Sequence, residues 1–127
     1  MMNNKDNKIN FTKRGTEQKV KQGDIIKLNL NPTKGHEQSG YRPALVVSND
    51  KFNAMTNMLL ICPISNTVNG FPTHVKLNGT MTTGEVRCEQ VKAIDPYTRT
   101  YSIIETVPRS ILLEAVDIVY GSVEVLG

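Results

Sequence analysis

Hydrophobic and polar positions alternate over much of the chain, a pattern typical of β-strands with one buried face. The segments Asp24–Leu30 and Thr73–Leu77 alternate in this way, and Gly84–Ile94 is the longest such run. Two apolar, β-branched runs, Arg42–Ser48 and Met58–Ile64, predict two more strands, the second of them central in the sheet. The pattern therefore favours a sheet over a helical bundle.

The remaining elements are one short strand and two helical segments. The segment Tyr101–Glu105 predicts a sixth strand, and Asn49 can cap a helical turn over Asp50–Asn53. In Pro108–Val119 apolar residues recur at helical spacing, and proline suits the first turn of a helix. Pro63 is predicted to mark the end of its strand. These elements predict a mainly β fold, a small and partly open barrel of about five or six strands with a C-terminal helix.

Composition predicts a single domain. The chain has 127 residues, of which 39% are hydrophobic, enough for one core. No run approaches the roughly 20 apolar residues of a membrane span, and residues 1–20 carry no apolar stretch of the signal-peptide kind. We therefore expect a cytoplasmic protein with no membrane partner.

The net charge of +3 lies in the N-terminal segment. Residues 1–19 hold five of the 15 basic and two of the 12 acidic residues, which leaves ten of each in residues 20–127. We interpret residues 1–19 as a flexible, basic tail and residues 20–127 as a neutral globular domain. The net charge of the domain therefore does not indicate a nucleic-acid partner. Evidence for such a partner has to come from the arrangement of particular residues.

The cysteines and histidines are too few and too scattered for a metal cluster. Cys62 and Cys88 lack the spacing of metal ligands, as do His36 and His74. In a reducing cytoplasm we expect both thiols to be buried and free. A metal-dependent nuclease is disfavoured, and we expect neither a metal site nor a cofactor.

The longest predicted strand carries the candidate chemistry. Alternation places Val86 and Cys88 on its core face, and Glu85, Arg87 and Glu89 on the other face. Arg87 and Glu89 are then about 6–7 Å apart, a span that fits one phosphodiester group. An exposed Arg–Glu pair is equally consistent with a solvated ion pair of little energetic value.

Cleavage of RNA by its own 2′-hydroxyl needs a base, an acid and positive donors for the phosphate. Glu89 is a candidate base, and Arg87 carries a guanidinium fork that suits phosphate oxygens. His36 is a candidate acid or base, and Arg42, held extended by Pro43, is a second candidate phosphate ligand. A surface histidine, and an arginine whose stem covers apolar surface, are the structural alternatives.

Three more residues could contact a ligand. Ser65 and Asn66 lie where a strand ends, so that their polar groups can reach a ligand or form an ordinary turn. Phe71 lies in a loop, where it can stack on a base or pack on the barrel. Taken one at a time, these residues leave both interpretations open.

The order of motifs is more specific than any single residue. The stretch Asn31–Pro43 reads NPTKGHEQSGYRP, and it is followed by Pro63–Ser65 and by Thr82–Gln90, which reads TTGEVRCEQ. Over about residues 20–122, this order resembles the MazF/PemK family of bacterial toxins. His36 and the second motif are more similar to the plasmid-borne PemK/Kid branch.

The resemblance implies an SH3-like barrel of the CcdB/MazF type that forms a homodimer. It implies an endoribonuclease, an mRNA interferase, that cuts single-stranded RNA at short sequences without a metal ion. The products that the resemblance implies are a 2′,3′-cyclic phosphate and a 5′-hydroxyl. It also implies a cognate antitoxin protein that binds along the RNA groove and neutralises the toxin.

The resemblance also implies catalytic roles. In the PemK-like branch Arg87 matches the acid, Glu89 the base and His36 a stabiliser, whereas the MazF-like branch emphasises Arg42 and Ser65. Because guanidinium holds its proton far above neutral pH, we prefer both arginines as charge stabilisers and His36 as the acid. Glu89 is one methylene longer than the usual aspartate, and Ser65 stands where threonine is usual.

For RNA binding, the resemblance implies Asn66, Phe71 and Thr83, and we add Gln90, which closes the second motif. Two alternatives remain. A CcdB-like gyrase-binding toxin depends on a C-terminal tryptophan motif, and the sequence has no tryptophan. An inactive relative that binds only RNA or antitoxin is disfavoured, because the candidate catalytic set is retained together.

Overall fold

The computed structural model describes residues 19–30 and 40–127. The predicted tail up to residue 18 and the candidate acid His36 lie outside the described residues, and their predictions stay untested. The described part contains seven strands and two α-helices. The strands are β1 (Asp24–Asn29), β2 (Tyr41–Val46), β3 (Leu59–Ser65), β4 (His74–Lys76), β5 (Glu85–Arg87), β6 (Lys92–Ile94) and β7 (Tyr101–Thr106), and the helices are α1 (Asp50–Thr56) and α2 (Arg109–Val123).

The strands form one antiparallel sheet in the order β4-β5-β3-β2-β1-β7, and β6 also pairs with β3. The predicted fold class, mainly β with a C-terminal helix, is confirmed. Among the described residues the sheet is open at β4 and β7 and does not close into a barrel. The strand number is higher than expected because one predicted strand is interrupted.

The prediction of a single strand over Gly84–Ile94 is wrong. Along β3, Ile64 pairs with Val86 and Ile61 pairs with Lys92. Between these two pairs β3 advances by three residues (64 less 61), whereas the neighbouring chain advances by six (92 less 86). The surplus residues leave the ladder as a 3-10 turn, Cys88–Gln90, between β5 and β6.

The same interruption explains why Pro63 lies inside β3 and does not end it. Pro63 pairs with Ala44 of β2 on one side. On its other side lies the gap between the pairings of β3 with β5 and with β6. Because no ladder hydrogen bond is needed there, a residue without an N–H group is tolerated in a central strand.

The sheet buries side chains on both faces. Ile25 and Ile26 of β1 belong to two different core clusters, and both are 0% exposed. Residues of α2, including Ile111 and Ala115, cover the first cluster. Cys62 also lies there, and both cysteines are buried and free, as expected.

The helices differ from expectation only in length. The Asn49 side chain accepts a hydrogen bond from the Phe52 backbone and caps α1, which continues past the single predicted turn. Pro108 precedes α2 directly, and the helix extends to Val123. In the described ranges, no helix combines the length and the hydrophobicity needed to cross a bilayer.

Candidate functional site

A cavity of about 490 Å³ opens where β2, β3 and β5 meet the 3-10 turn and β6. Three of its lining residues carry a positive charge, and no carboxylate lines it among the described residues. The pocket therefore suits an anion. It is lined by Leu30, Gly40, Arg42, Pro63, Ile64, Ser65, Arg87, Gln90 and Lys92.

Strand register brings the polar lining together. Ala44 pairs with Pro63 across β2 and β3, and two residues further along Arg42 and Ser65 lie on neighbouring strands at the same edge. Ser65 in turn pairs with Glu85 of β5, and Arg87, two residues further along β5, also lines the pocket. Three adjacent strands thus present side chains to one pocket.

Arg87 has an incompletely used guanidinium. One terminal nitrogen donates to the Thr67 carbonyl oxygen at 3.2 Å. Its Nε is buried and has no hydrogen-bond partner in the described part of the chain. Because buried donors are nearly always paired, this N–H group is a donor available to an anion in the pocket.

Glu89 does not line this pocket. It lies in the 3-10 turn, between two pocket residues in sequence, and its side chain is 38% exposed. Its carboxylate accepts hydrogen bonds from the Thr73 hydroxyl at 2.7 Å and from His74 Nε2 at 3.0 Å. Desolvation opposes ionisation, but these hydrogen bonds outweigh it and lower the pKa of Glu89. The carboxylate is thus held in its ionised form.

Glu85 is buried, which corrects the prediction that it shares an exposed face with Arg87. Its side chain is 2% exposed, because the loop after β3 folds over it. Glu85 accepts hydrogen bonds from the backbone of Asn69 at 3.2 Å and Gly70 at 2.9 Å, and its Oε1 lies 2.9 Å from His74 Nδ1. Desolvation raises the pKa of Glu85, but the hydrogen bonds outweigh it and leave the pKa below its ordinary value.

The four predicted RNA-binding residues occupy two places. Gln90 lines the pocket. The side-chain oxygen of Asn66 accepts a 2.7 Å hydrogen bond from the Thr83 hydroxyl. Phe71 is 55% exposed, and its ring centroid lies 5.5 Å from that of His74. An exposed aromatic ring beside polar groups can stack on a base.

The structure thus brings together Arg42, Ser65 and Arg87 of the predicted catalytic set, and it places Glu89 in an adjacent cluster. Sequence reasoning missed Lys92, because a continuous strand from residue 84 to 94 gave no reason to place it in a pocket. It also missed His74. The only signal for this residue was a histidine in an alternating strand, a common structural feature.

Comparison with known proteins identifies the family. Residues 21–119 match the family model described as PemK-like, MazF-like toxin of type II toxin-antitoxin system. The chain is 37% identical over 100 residues to the endoribonuclease PemK of Escherichia coli, covering 75% of each chain. It is 42% identical over 72 residues to the endoribonuclease toxin MazF of Escherichia coli strain K12, covering 57% of this chain and 65% of that one.

Solved structures agree with this fold. MazF from Deinococcus radiodurans superposes with a TM-score of 0.70 at 29% identity, covering 81% of this chain and 94% of that one. A MazE–MazF structure from the same organism gives 0.71 at 23% identity, covering 84% and 97%, and supports the fold alone. Because the family model spans most of the chain, this protein belongs to the PemK-like, MazF-like toxins of type II toxin–antitoxin systems.

Proposed function

We propose that this protein is a metal-independent endoribonuclease toxin that cleaves single-stranded RNA at short sequences. The observation that carries the proposal is the cationic pocket in which Arg42 and Arg87 converge, with the Nε of Arg87 lacking a partner among the described residues. The relatives named as endoribonucleases, PemK and MazF of Escherichia coli, support the activity.

In this proposal the scissile phosphate binds in the pocket. Arg42, Arg87 and Lys92 supply positive charge to the phosphate oxygens, whose charge grows as the 2′-oxygen attacks phosphorus. The guanidinium forks can each donate two parallel hydrogen bonds, whereas Lys92 acts as a point charge. The hydroxyl of Ser65, on the neighbouring strand, supplies one more donor.

In this proposal Glu89 and His36 carry out the two proton transfers. Glu89 accepts the proton of the 2′-hydroxyl, and the 2′-oxygen forms a bond to phosphorus. The bond from phosphorus to the 5′-oxygen breaks, and the leaving oxygen takes a proton from His36. The products are a 2′,3′-cyclic phosphate and a 5′-hydroxyl. The hydrogen bonds that lower the pKa of Glu89 keep it in the ionised form that a base requires.

The RNA sequence is recognised by two loops beside the pocket, one that carries Asn66 and Phe71 and one that carries Thr83. Asn66 and Thr83 offer hydrogen-bonding groups, and Phe71 offers an exposed ring for stacking. Single-stranded RNA is read by stacking and base-edge hydrogen bonds of this kind. Gln90, on the pocket wall, can contact the nucleotide next to the scissile phosphate.

The partners follow from the family. We infer a cognate antitoxin that covers the cationic pocket, in keeping with the MazE–MazF structures of Deinococcus radiodurans and the mycobacterial endoribonuclease solved with its cognate antitoxin. We also infer a homodimer in the bacterial cytoplasm. The exposed apolar residues Leu113, Tyr120 and Val123 of α2 offer a surface for such self-association.

The test is cleavage of a long single-stranded RNA in EDTA by wild type and by Glu89→Gln, with the new ends mapped. We expect cuts at one short recurring sequence, 5′-hydroxyl ends, and loss of cutting in the variant. Arg109→Gln, at the start of α2 and outside the pocket, is the control and should cut normally. Intact RNA from a folded wild-type protein would contradict the proposal and direct the search to a protein target such as gyrase.

A further inference from the structure

His74 of β4 joins two carboxylates from consecutive segments of the chain, Glu85 of β5 and Glu89 of the 3-10 turn. Its ring nitrogens are 2.9 Å from an oxygen of Glu85 and 3.0 Å from an oxygen of Glu89, and its side chain is only 4% exposed. Each ring nitrogen therefore lies within hydrogen-bond distance of a carboxylate oxygen. The ring is therefore fixed at both of its nitrogens.

Each end of this chain of contacts reaches a different part of the site. Glu85 holds the backbone N–H groups of Asn69 and Gly70, within the loop that connects β3 to β4. That loop also carries Phe71, whose ring lies against the His74 ring at 5.5 Å. At the other end is Glu89, whose remaining oxygen accepts from a threonine hydroxyl.

We propose that His74 is a positioning residue that couples the Glu89 carboxylate to the loop of residues 66–72 through Glu85. In its consequence for catalysis this inference rests on the proposed function, because it takes Glu89 as the base and this loop as the part that reads RNA. The loop and the Glu89 carboxylate are then held in position together, so that displacing either one displaces the other.

The geometry distinguishes this role from simple packing. A packing role could be filled by any ring of similar size at this position, whereas the observed ring uses both nitrogens on groups from two other elements. A positioning role therefore predicts that a ring without nitrogens lowers kcat even where the protein remains folded. It also predicts that removing the Glu89 carboxylate changes hydrogen exchange at the amides of Asn69 and Gly70, which Glu89 does not contact.

The first experiment measures the coupling without any catalysis. Amide hydrogen exchange is followed at Asn69 and Gly70 in wild type, in Glu89→Ala, and in Gln90→Ala as the control from the same turn. We expect faster exchange at both amides in Glu89→Ala, which has lost only a distant carboxylate, and unchanged exchange in Gln90→Ala. Equal exchange in wild type and Glu89→Ala would overturn the coupling.

The second experiment measures steady-state cleavage of a short RNA with one cleavage site, so that kcat and KM are obtained separately. His74→Phe keeps a ring but no donor, and we expect kcat to fall roughly ten- to a hundredfold, the scale of a misplaced catalytic group. His74→Gln, which retains one donor group, should recover part of this loss. Unchanged kcat in a folded His74→Phe protein would overturn the positioning role.

Glu105→Gln is the comparison for His74→Phe. Glu105 accepts hydrogen bonds from the backbone of Met81 and Thr82, in the segment between β4 and β5, and it does not contact Glu89. We expect this variant to raise KM and to leave kcat near wild type. A failure of the proposed function is separable, because wild type would then not cut RNA at all. The exchange experiment would still decide whether His74 couples the two carboxylates.

Discussion

The side-chain oxygen of Asn66 accepts a 2.7 Å hydrogen bond from the hydroxyl of Thr83, which joins the loop after β3 to the turn before β5. Each of these segments is also held by a carboxylate from the sheet. Glu85 binds backbone N–H groups of the first, and Glu105 binds those of the second. Glu85 and Glu105 therefore hold the two segments of the proposed RNA-reading surface to the sheet, and the hydrogen bond between Asn66 and Thr83 joins the segments to each other.

Breaking the bond between the two loops should weaken RNA binding and leave the chemical step unchanged. In Thr83→Val the hydroxyl is lost, and a bond worth about 1 kcal/mol corresponds to a rise of roughly fivefold in KM. Thr83→Ser keeps the hydroxyl and is the control. The measurement is steady-state cleavage of a single-site RNA, and an equal KM for all three proteins would contradict this prediction.

Arg87 should not be replaceable by lysine. Its fork donates to Thr67 and leaves Nε for a ligand, whereas an ammonium group cannot reproduce both contacts. We expect Arg87→Lys to lose on the order of a hundredfold in kcat, the usual scale for one donor to a developing negative charge. Steady-state cleavage measures this, with the circular dichroism spectrum as the check on folding. A loss below threefold would show that Arg87 acts only through its charge.

Lys92 should contribute to binding mainly through its charge. Removing one phosphate contact to a single strand reduces the slope of log affinity against log salt by about 0.7. We expect this change for Lys92→Ala and no change for Lys51→Ala, a surface substitution on α1 outside the pocket. Fluorescence anisotropy with a catalytically dead background, at several salt concentrations, measures both slopes. Identical slopes for the two variants would remove Lys92 from the RNA site.

Glu105 should make stability depend on pH. Desolvation opposes its ionisation, but hydrogen bonds from Met81 and Thr82 outweigh it and lower the pKa of Glu105 below its ordinary 4.5. A lowered folded pKa means that the unfolded chain binds the proton first. The stabilisation is therefore present above pH 4.5 and is lost as the pH falls through the folded pKa.

The measurement is urea unfolding of wild type and Glu105→Gln between neutral and acid pH. We expect the difference in free energy of unfolding between them to be greatest at neutral pH and to shrink below pH 4.5. A difference that stays constant with pH would mean that the carboxylate charge contributes nothing to the fold.

Gly84 should tolerate no side chain. Its φ is +115°, and a Cβ there would fall against the Ser65 carbonyl oxygen, far inside contact distance. Gly79 also has a positive φ, +72°, but a Cβ there meets only Pro108 at ordinary contact distance. We expect Gly79→Ala to cost about 1–2 kcal/mol and Gly84→Ala distinctly more. Thermal unfolding of the two variants makes the comparison, and equal losses would show that strain in φ is the whole effect.

The sequence alone was sufficient to predict the fold class, the closing helix and the family. Alternation in Asp24–Leu30 and helical spacing in Pro108–Val119 are local signals, and β1 and α2 follow them closely. The family depends on a long ordered motif, which needs no coordinates to be recognised. Arg42, Ser65 and Arg87 were predicted as site residues in the same way, and they line one pocket.

The 3-10 turn Cys88–Gln90 and the cluster around His74 depended on tertiary structure. A strand is interrupted where the neighbouring strand has too few residues to pair with all of it. The pattern of residues 84–94 contains no information on how β3 pairs with this segment. For the same reason Glu85 appeared exposed, although a loop 15 residues earlier in the chain supplies the amides that bury it. Hydrophobic periodicity records which side chains avoid water, whereas the partners of a buried charge are chosen by contacts between distant segments.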